Sequence, residues 1–304
     1  MTSRLADALR AKAGLGSIAA LSVALGLTLS AEQSRSIDVS GILTRAGERV
    51  TEYFARAQSI MCLEKVSLQR LGMSFGADGP ARMVESELRL SWEPTEENPT
   101  PTEAHTLRQV VRVNGSTPRK KDWNNCTTPE QQVQEEQPLS ILLPQQRIKY
   151  TFTFEKHETI DGRQAMVVGF REIKQPTVDV TLVKDNDNCV SFDIQGGMRG
   201  KLWIDLETHD VLRLDRSLSG LVEIPLPRKT ARMGGTPYWT MERWDTSIRF
   251  KRVAFDNPEE TLVLPLNATS FQITRGAGTP RLRTSTQYLS YRRFMTAGRI
   301  LPPQ

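Results

Sequence analysis

Through most of its length the chain places apolar side chains at every second position. Val84, Leu88, Leu90 and Trp92 alternate with Glu85, Glu87, Arg89 and Ser91, and Tyr150, Phe152 and Phe154 alternate with Lys149, Thr151, Thr153 and Glu155. Successive strand side chains point to opposite faces, so this period gives one apolar face and one wet face, the signature of an antiparallel sheet covered on one side only. Related runs occur at Leu63–Leu71, at Leu107, Val111 and Val113, and at Met166, Val168 and Phe170. They recur at Leu202–Leu206, Val211–Leu214, Leu218–Ile224, Ser247–Phe255, Phe271–Thr274 and Leu282–Phe294. Asn114-Gly115 and Asp161-Gly162 mark tight turns between them.

Only one long segment has helical spacing. Ile42, Leu43, Ala46, Val50, Tyr53, Phe54, Ala57 and Ile60 recur at steps of three and four, which predicts an amphipathic helix over Val39–Ile60. Pro138–Leu143 reads as a second, short helix. So many strands curl or close, and one helix can cover only one face. The expectation is an α+β chain, mainly antiparallel β: a curled sheet or unclosed β-barrel with both helices over the concave face. Residues 32–304 read as a single domain with a long inserted loop near 225–237, where proline and glycine gather around Arg228, Lys229 and Arg232.

Residues 1–31 have a different composition. Arg4, Arg10 and Lys12 precede an apolar, small-residue run from Ala13 to Leu29, followed by Ser30-Ala31 and then polar residues, the layout of a cleaved signal peptide. The run is short for a bilayer span and is interrupted by Gly14, Gly16, Ser17, Ser22 and Gly26, which disfavours the alternative of an N-terminal membrane anchor. A periplasmic or secreted protein is expected.

Export places the three cysteines in an oxidising compartment and predicts one disulfide and one thiol. Cys62, at the end of the predicted helix, and Cys126, in a polar loop, are the favoured pair. No CxxC or Cys/His cluster suggests zinc, and no cofactor is expected. The net charge of +5 is a weak basic bias. Arg281, Arg283, Arg292 and Arg293, interleaved with Tyr288, Tyr291 and Phe294, read as a solvated strand face rather than a nucleic-acid surface.

Four motifs offer chemistry. Asp205, Glu207 and His209 stand at i, i+2 and i+4 and would share a face as metal ligands on a strand, but Glu207-Thr208-His209-Asp210 reads as the loop of a hairpin, which separates them. Gly72-Met73-Ser74-Phe75-Gly76 matches the G-x-S-x-G nucleophile elbow, yet another strand pattern comes next where a helix is required. Lys184–Asn188 begins like a calcium loop but has Cys189 in place of an oxygen ligand. Glu85 and Glu87 fall on the wet face of a strand, with no perturbation of their ionisation implied.

The run Gly200-Lys201-Leu202-Trp203-Ile204-Asp205, with Thr208 and Arg213 and preceded by a long helix and a strand meander, resembles the lipoprotein-localisation carriers of the LolA/LolB type. Arg275–Phe294 is similar to a segment of exported bacterial proteins without an assigned function. The first resemblance implies an unclosed barrel whose concave face holds acyl chains beneath a helical lid, without catalysis. The chain departs from it in length and in the added Pro225–Pro237 segment. The expected function is therefore a non-enzymatic carrier or sensor of an apolar ligand, an acyl chain or lipoprotein, with Val84, Leu88, Leu90, Trp92, Tyr150, Phe152 and Phe154 as groove candidates. A filled core has the same period-two signature. An interaction module of an envelope stress or regulatory system, similar to periplasmic regulator domains and partnered by a membrane protein, is the alternative; a serine hydrolase using Ser74 is the second.

Overall fold

The computed structural model describes residues 38–57, 60–91, 103–119, 122, 130–182, 190–226 and 237–293. The expectations for residues 1–31, Trp92, Cys126, Lys184–Asn188, Cys189, Arg228, Lys229, Arg232 and Phe294 lie outside them.

Helix α1 runs from Val39 to Arg56 and starts where the Asp38 carboxylate accepts the Gly41 amide at 2.7 Å. It is one turn shorter than its apolar spacing predicts, because Ile60 opens the first strand. Cys62 therefore sits within a strand, not at a helix end. The strands are β1 (Ile60–Arg70), β2 (Arg82–Ser91), β3 (Glu103–Val113) and β4 (Glu130–Glu136). A 3-10 turn (Pro138–Leu142) and the four-residue α2 (Pro144–Arg147) come next, in place of the single short helix expected. The second half holds β5 (Tyr150–Ile160), β6 (Arg163–Glu172), β7 (Thr177–Leu182), β8 (Val190–Gln195), β9 (Met198–Asp205) and β10 (Val211–Leu218). It ends with β11 (Val222–Pro225), β12 (Tyr238–Asp256), β13 (Glu259–Arg275) and β14 (Arg281–Arg293).

Twelve strands form one sheet in the order β4-β3-β2-β1-β14-β13-β12-β10-β9-β6-β5, with β11 added beside β12, and every pairing is antiparallel. The two ends of this order, β4 and β5, are not joined to each other, so the sheet is curled and open, as expected. Strands β7 and β8 form a separate hairpin. Its Val178, Val180, Phe192 and Ile194 pack on Leu218, Val222, Ile224 and Met241 of the large sheet.

The main core lies between α1 and the sheet. Ile42, Leu43, Ala46, Val50 and Phe54 from the helix meet Met166, Val168 and Phe170 of β6, Leu202 and Ile204 of β9, Val211 and Leu214 of β10, and Leu262 and Leu264 of β13. Leu139, Ile141, Leu142 and Leu143 close the layer. The helix lies hard against that segment: a side chain at Gly47 would place its Cβ 2.6 Å from the Leu142 carbonyl oxygen, which only glycine avoids. Gly200, the first residue of the Gly200–Asp205 motif, has a similar reason. The Phe170 ring lies over it, and a Cβ there would come within 2.7 Å of the ring.

One strand face differs from expectation. Leu107 and Val111 point outward, 38% and 41% exposed, whereas Thr106 and Val113 are buried. An irregularity between Glu85 and Ser86 in the β2–β3 pairing shifts the alternation, so Leu107, Val111 and Val113 do not share one apolar face.

Candidate functional site

The hairpin of β9 and β10 is organised by its acidic residues. Asp205 Oδ1 accepts the Glu207 amide at 3.0 Å and the Thr208 amide at 2.7 Å, and its Oδ2 receives Arg163 Nε at 2.8 Å. An aspartate side chain that binds the backbone two and three residues ahead shapes a turn. Burial alone would raise the Asp205 pKa, but the Thr208 hydrogen bonds and the Arg163 charge outweigh it and hold the carboxyl below its usual range. Asp210 is buried beside three guanidinium groups: Arg252 at 2.6 Å, Arg163 at 3.7 Å and Arg49 at 3.9 Å. The Thr208 hydroxyl lies between the two carboxylates, 3.0 Å from Asp205 Oδ1 and 2.9 Å from Asp210 Oδ2. The four polar residues are thus a turn and an ion network. His209 takes a left-handed backbone conformation (φ 61°) and its Nε2 accepts Arg45 Nε from the helix at 2.9 Å. Among the described residues no cluster of metal-ligating side chains occurs.

This turn forms one wall of a pocket of about 210 Å³ beside α1. Ala46, Val50 and Tyr53 of the helix, Leu139 of the 3-10 turn, Val211 of β10 and Leu262 of β13 supply an apolar lining. Arg49, Glu52, Arg56, His209, Asp210, Arg252 and Thr261 bring polar groups to it. Arg49 pairs with Glu52 at 3.0 Å and Arg252 with Asp210, so the charged side chains largely neutralise one another. Burial pushes the Tyr53 hydroxyl pKa up, which keeps it an uncharged neighbour of the apolar lining.

None of the six groove candidates within the described residues lines this pocket. Leu90, Tyr150, Phe152 and Phe154 are half-buried and pack at the margin of the main core. Tyr150 meets Phe170 edge-on with ring centroids 5.9 Å apart, and Tyr150 and Phe152 are 6.2 Å apart. Leu88 is buried and Val84 half-buried on β2. The pocket lies where a helix, a turn and three strands meet, an arrangement that no single periodic segment displays.

Cys62 is buried and has no disulfide partner among the described residues; burial and then Glu64 push its thiol pKa up to about 12. Glu87 also differs from the expectation of an unperturbed carboxyl: hydrogen bonds from Arg89, the shorter at 2.6 Å, hold it below its usual range. The arginine and tyrosine set on β14 divides between faces. Tyr291 donates to the Pro265 carbonyl at 2.6 Å and packs on the core, and Arg293 pairs with Glu260. Ser74 sits in an exposed hairpin loop that returns directly into β2, so the helix a nucleophile elbow needs is absent.

No family model and no curated protein matches the sequence. Solved structures do resemble the fold. A DUF1329 family protein from Desulfovibrio piger aligns at 9% identity and TM-score 0.41, over 85% of this chain and 94% of that one. A domain from Vibrio parahaemolyticus named for outer membrane lipoprotein sorting aligns at 10% identity and TM-score 0.39, over 84% and 92%. A LolA superfamily protein from Nitrosomonas europaea aligns at 9% identity and TM-score 0.31, over 84% and 93%.

Proposed function

We propose that the chain is an exported, non-enzymatic carrier or sensor of an amphiphile, with the apolar tail entering the pocket beside α1 and the polar head staying among its arginines. The pocket itself carries this reading: an apolar lining from Ala46, Val50, Leu139, Val211 and Leu262 adjoins Arg49, Arg56 and Arg252. At about 210 Å³ it is smaller than the roughly 300–1,000 Å³ usual for small-molecule sites, which suits a single acyl chain better than a bulky ring system.

The test is titration with a fluorescent fatty acid, beside mass spectrometry of lipid that co-purifies. Thr261→Trp places bulk at the pocket wall without cutting into the core, and is expected to weaken probe binding while the unfolding midpoint stays near that of wild type. If wild type takes up no acyl probe and carries no lipid, the reading fails.

A further inference from the structure

The Gly72–Gly76 loop is left without a role once catalysis is set aside, yet it is a built feature. A single bridge between Leu71 and Ala77, with the Gly72 amide donating to the Gly76 carbonyl at 2.9 Å, closes it at the tip of the β1–β2 hairpin. Phe75 is held in the left-handed region (φ 61°), a conformation that costs a bulky residue free energy and persists only where contacts enforce it. Those contacts are the Phe271 ring, 6.0 Å between centroids, and the Arg281 guanidinium, 5.5 Å from the Phe75 ring. Arg281 Nη1 also donates to Met73 Sδ at 3.2 Å, and Arg243 covers the other ring, Phe271, at 5.0 Å. Even so, Met73 is 81% exposed and Phe75 50% exposed.

The charge around this tip is unbalanced. Arg70 pairs with Asp78, Arg243 with Asp245 and Arg275 with Glu242. Arg281 and Arg283, two apart on β14 and so on one face, have no ion-pair partner among the described residues. We propose that this end of the sheet docks on an anionic lipid bilayer, Met73 and Phe75 entering the interface while Arg281 and Arg283 meet lipid phosphates. Stable attachment to a membrane surface needs two signals, apolar insertion and basic charge, and both are present here. A protein partner would need a complementary patch of several hundred square ångströms per side, whereas two protruding apolar side chains above a cationic face suit a fluid interface. The pocket lies at the opposite end of the strands, beside the β12–β13 and β9–β10 turns, so docking would leave it facing solvent.

Co-sedimentation of the full chain with vesicles of phosphatidylcholine, alone or mixed with phosphatidylglycerol, tests the proposal. Binding is expected only to the mixed vesicles and is lost at high salt. Arg281→Gln with Arg283→Gln lowers partitioning about thirtyfold at low salt, and Met73→Ser with Phe75→Ser lowers it about tenfold or more. In Phe75→Trp the emission gained over that of the five native tryptophans, taken as the difference from wild type, shifts to the blue on binding and is quenched by brominated lipid. All variants keep the same N-terminal segment, so differences among them report the loop, and matching thermal midpoints show that they fold. Wild-type partitioning in both double variants, or an indole that brominated lipid does not quench, overturns the proposal. So does loss of self-association in Met73→Ser/Phe75→Ser without a change in vesicle binding, which would assign the tip to a second copy of the chain.

Discussion

The two limbs of the curled sheet are built from the same kind of alternating strand but enclose different interiors. On β6, β9 and β10 the inner face is Met166, Val168, Phe170, Leu202, Ile204, Val211 and Leu214, pressed against α1. On β1, β2 and β3 the inner face continues from Ile60 and Leu90 into Cys62, Glu64, Ser86, Leu88, Thr106 and Arg108, because Cys62 pairs with Leu88, Glu64 with Ser86 and Leu88 with Arg108 across the strands. Glu64 is buried and receives Arg108 Nε at 2.6 Å, and the hydroxyls of Ser86 and Thr106 are buried without a hydrogen-bond partner among the described residues. A period-two pattern therefore selects which side faces inward without deciding whether that side is oily. The limb packed against the helix is held by close apolar contact; the other carries an ion pair and orphaned hydroxyls that each cost free energy.

Four substitutions would break or sharpen that contrast. Phe54→Ala, in the apolar limb's core, is expected to destabilise by about 3–5 kcal/mol in urea unfolding, because a fully enclosed ring leaves a cavity. In the polar limb, Glu64→Gln removes the buried carboxylate that receives Arg108 and should cost about 1–3 kcal/mol, whereas replacing both partners by methionine should be close to neutral. If the single and the double variant are equally damaging, the ion pair is not the source of the effect.

Asp205→Asn, in the turn between β9 and β10, is expected to cost about 1–3 kcal/mol by weakening bonds to the Thr208 and Glu207 amides and to Arg163. Its folded pKa is depressed, so its stabilisation is complete above the ordinary aspartate range and is lost as pH falls through the lowered value. Asp205→Asn should therefore have a flatter acid limb in a plot of stability against pH, and an unchanged slope would count against the assignment. The smallest effect is expected at Thr106→Val, which removes an orphaned hydroxyl and should leave stability equal or higher by about 1 kcal/mol. A clear loss would mean that a partner for that hydroxyl exists.

The sequence displayed the helix, the location of eleven strands and the open sheet, because their apolar positions repeat at the right interval, although the run read as Leu218–Ile224 is split between the end of β10 and β11, and only Phe271–Thr274 of the longer β13 was read. It hid β4, β7 and β8. Glu130–Glu136 is EQQVQEE, with one apolar residue and no alternation to read, and Thr177–Leu182 and Val190–Gln195 are six residues each, too short to establish a period. Leu107 and Val111 were misleading because one register shift at Glu85/Ser86 reverses the face of the residues paired beyond it. The pocket was less visible than the fold. Its residues come from Ala46, Leu139, His209, Arg252 and Leu262, separated by up to some two hundred positions, and only the tertiary path brings them together. The acidic hairpin was legible as a turn, but its ion network with Arg163 and Arg252 was not, since neither arginine lies near it in sequence.

The pairing of β1 with β14 sets the order in which this molecule can be assembled. Most neighbours in the sheet are hairpin partners close in sequence, such as β1 with β2, β5 with β6 and β12 with β13, and each can form as soon as its own residues are available. The seam where Leu63 meets Leu289 and Leu68 meets Thr284 cannot, because it needs the two ends of the described chain at once. Until β14 arrives, β1 presents an unpaired edge to any strand nearby, and contacts so distant in sequence form slowly. A chain handed across a membrane in extended form would remain exposed to self-association or to protective binding factors until its last strand had crossed.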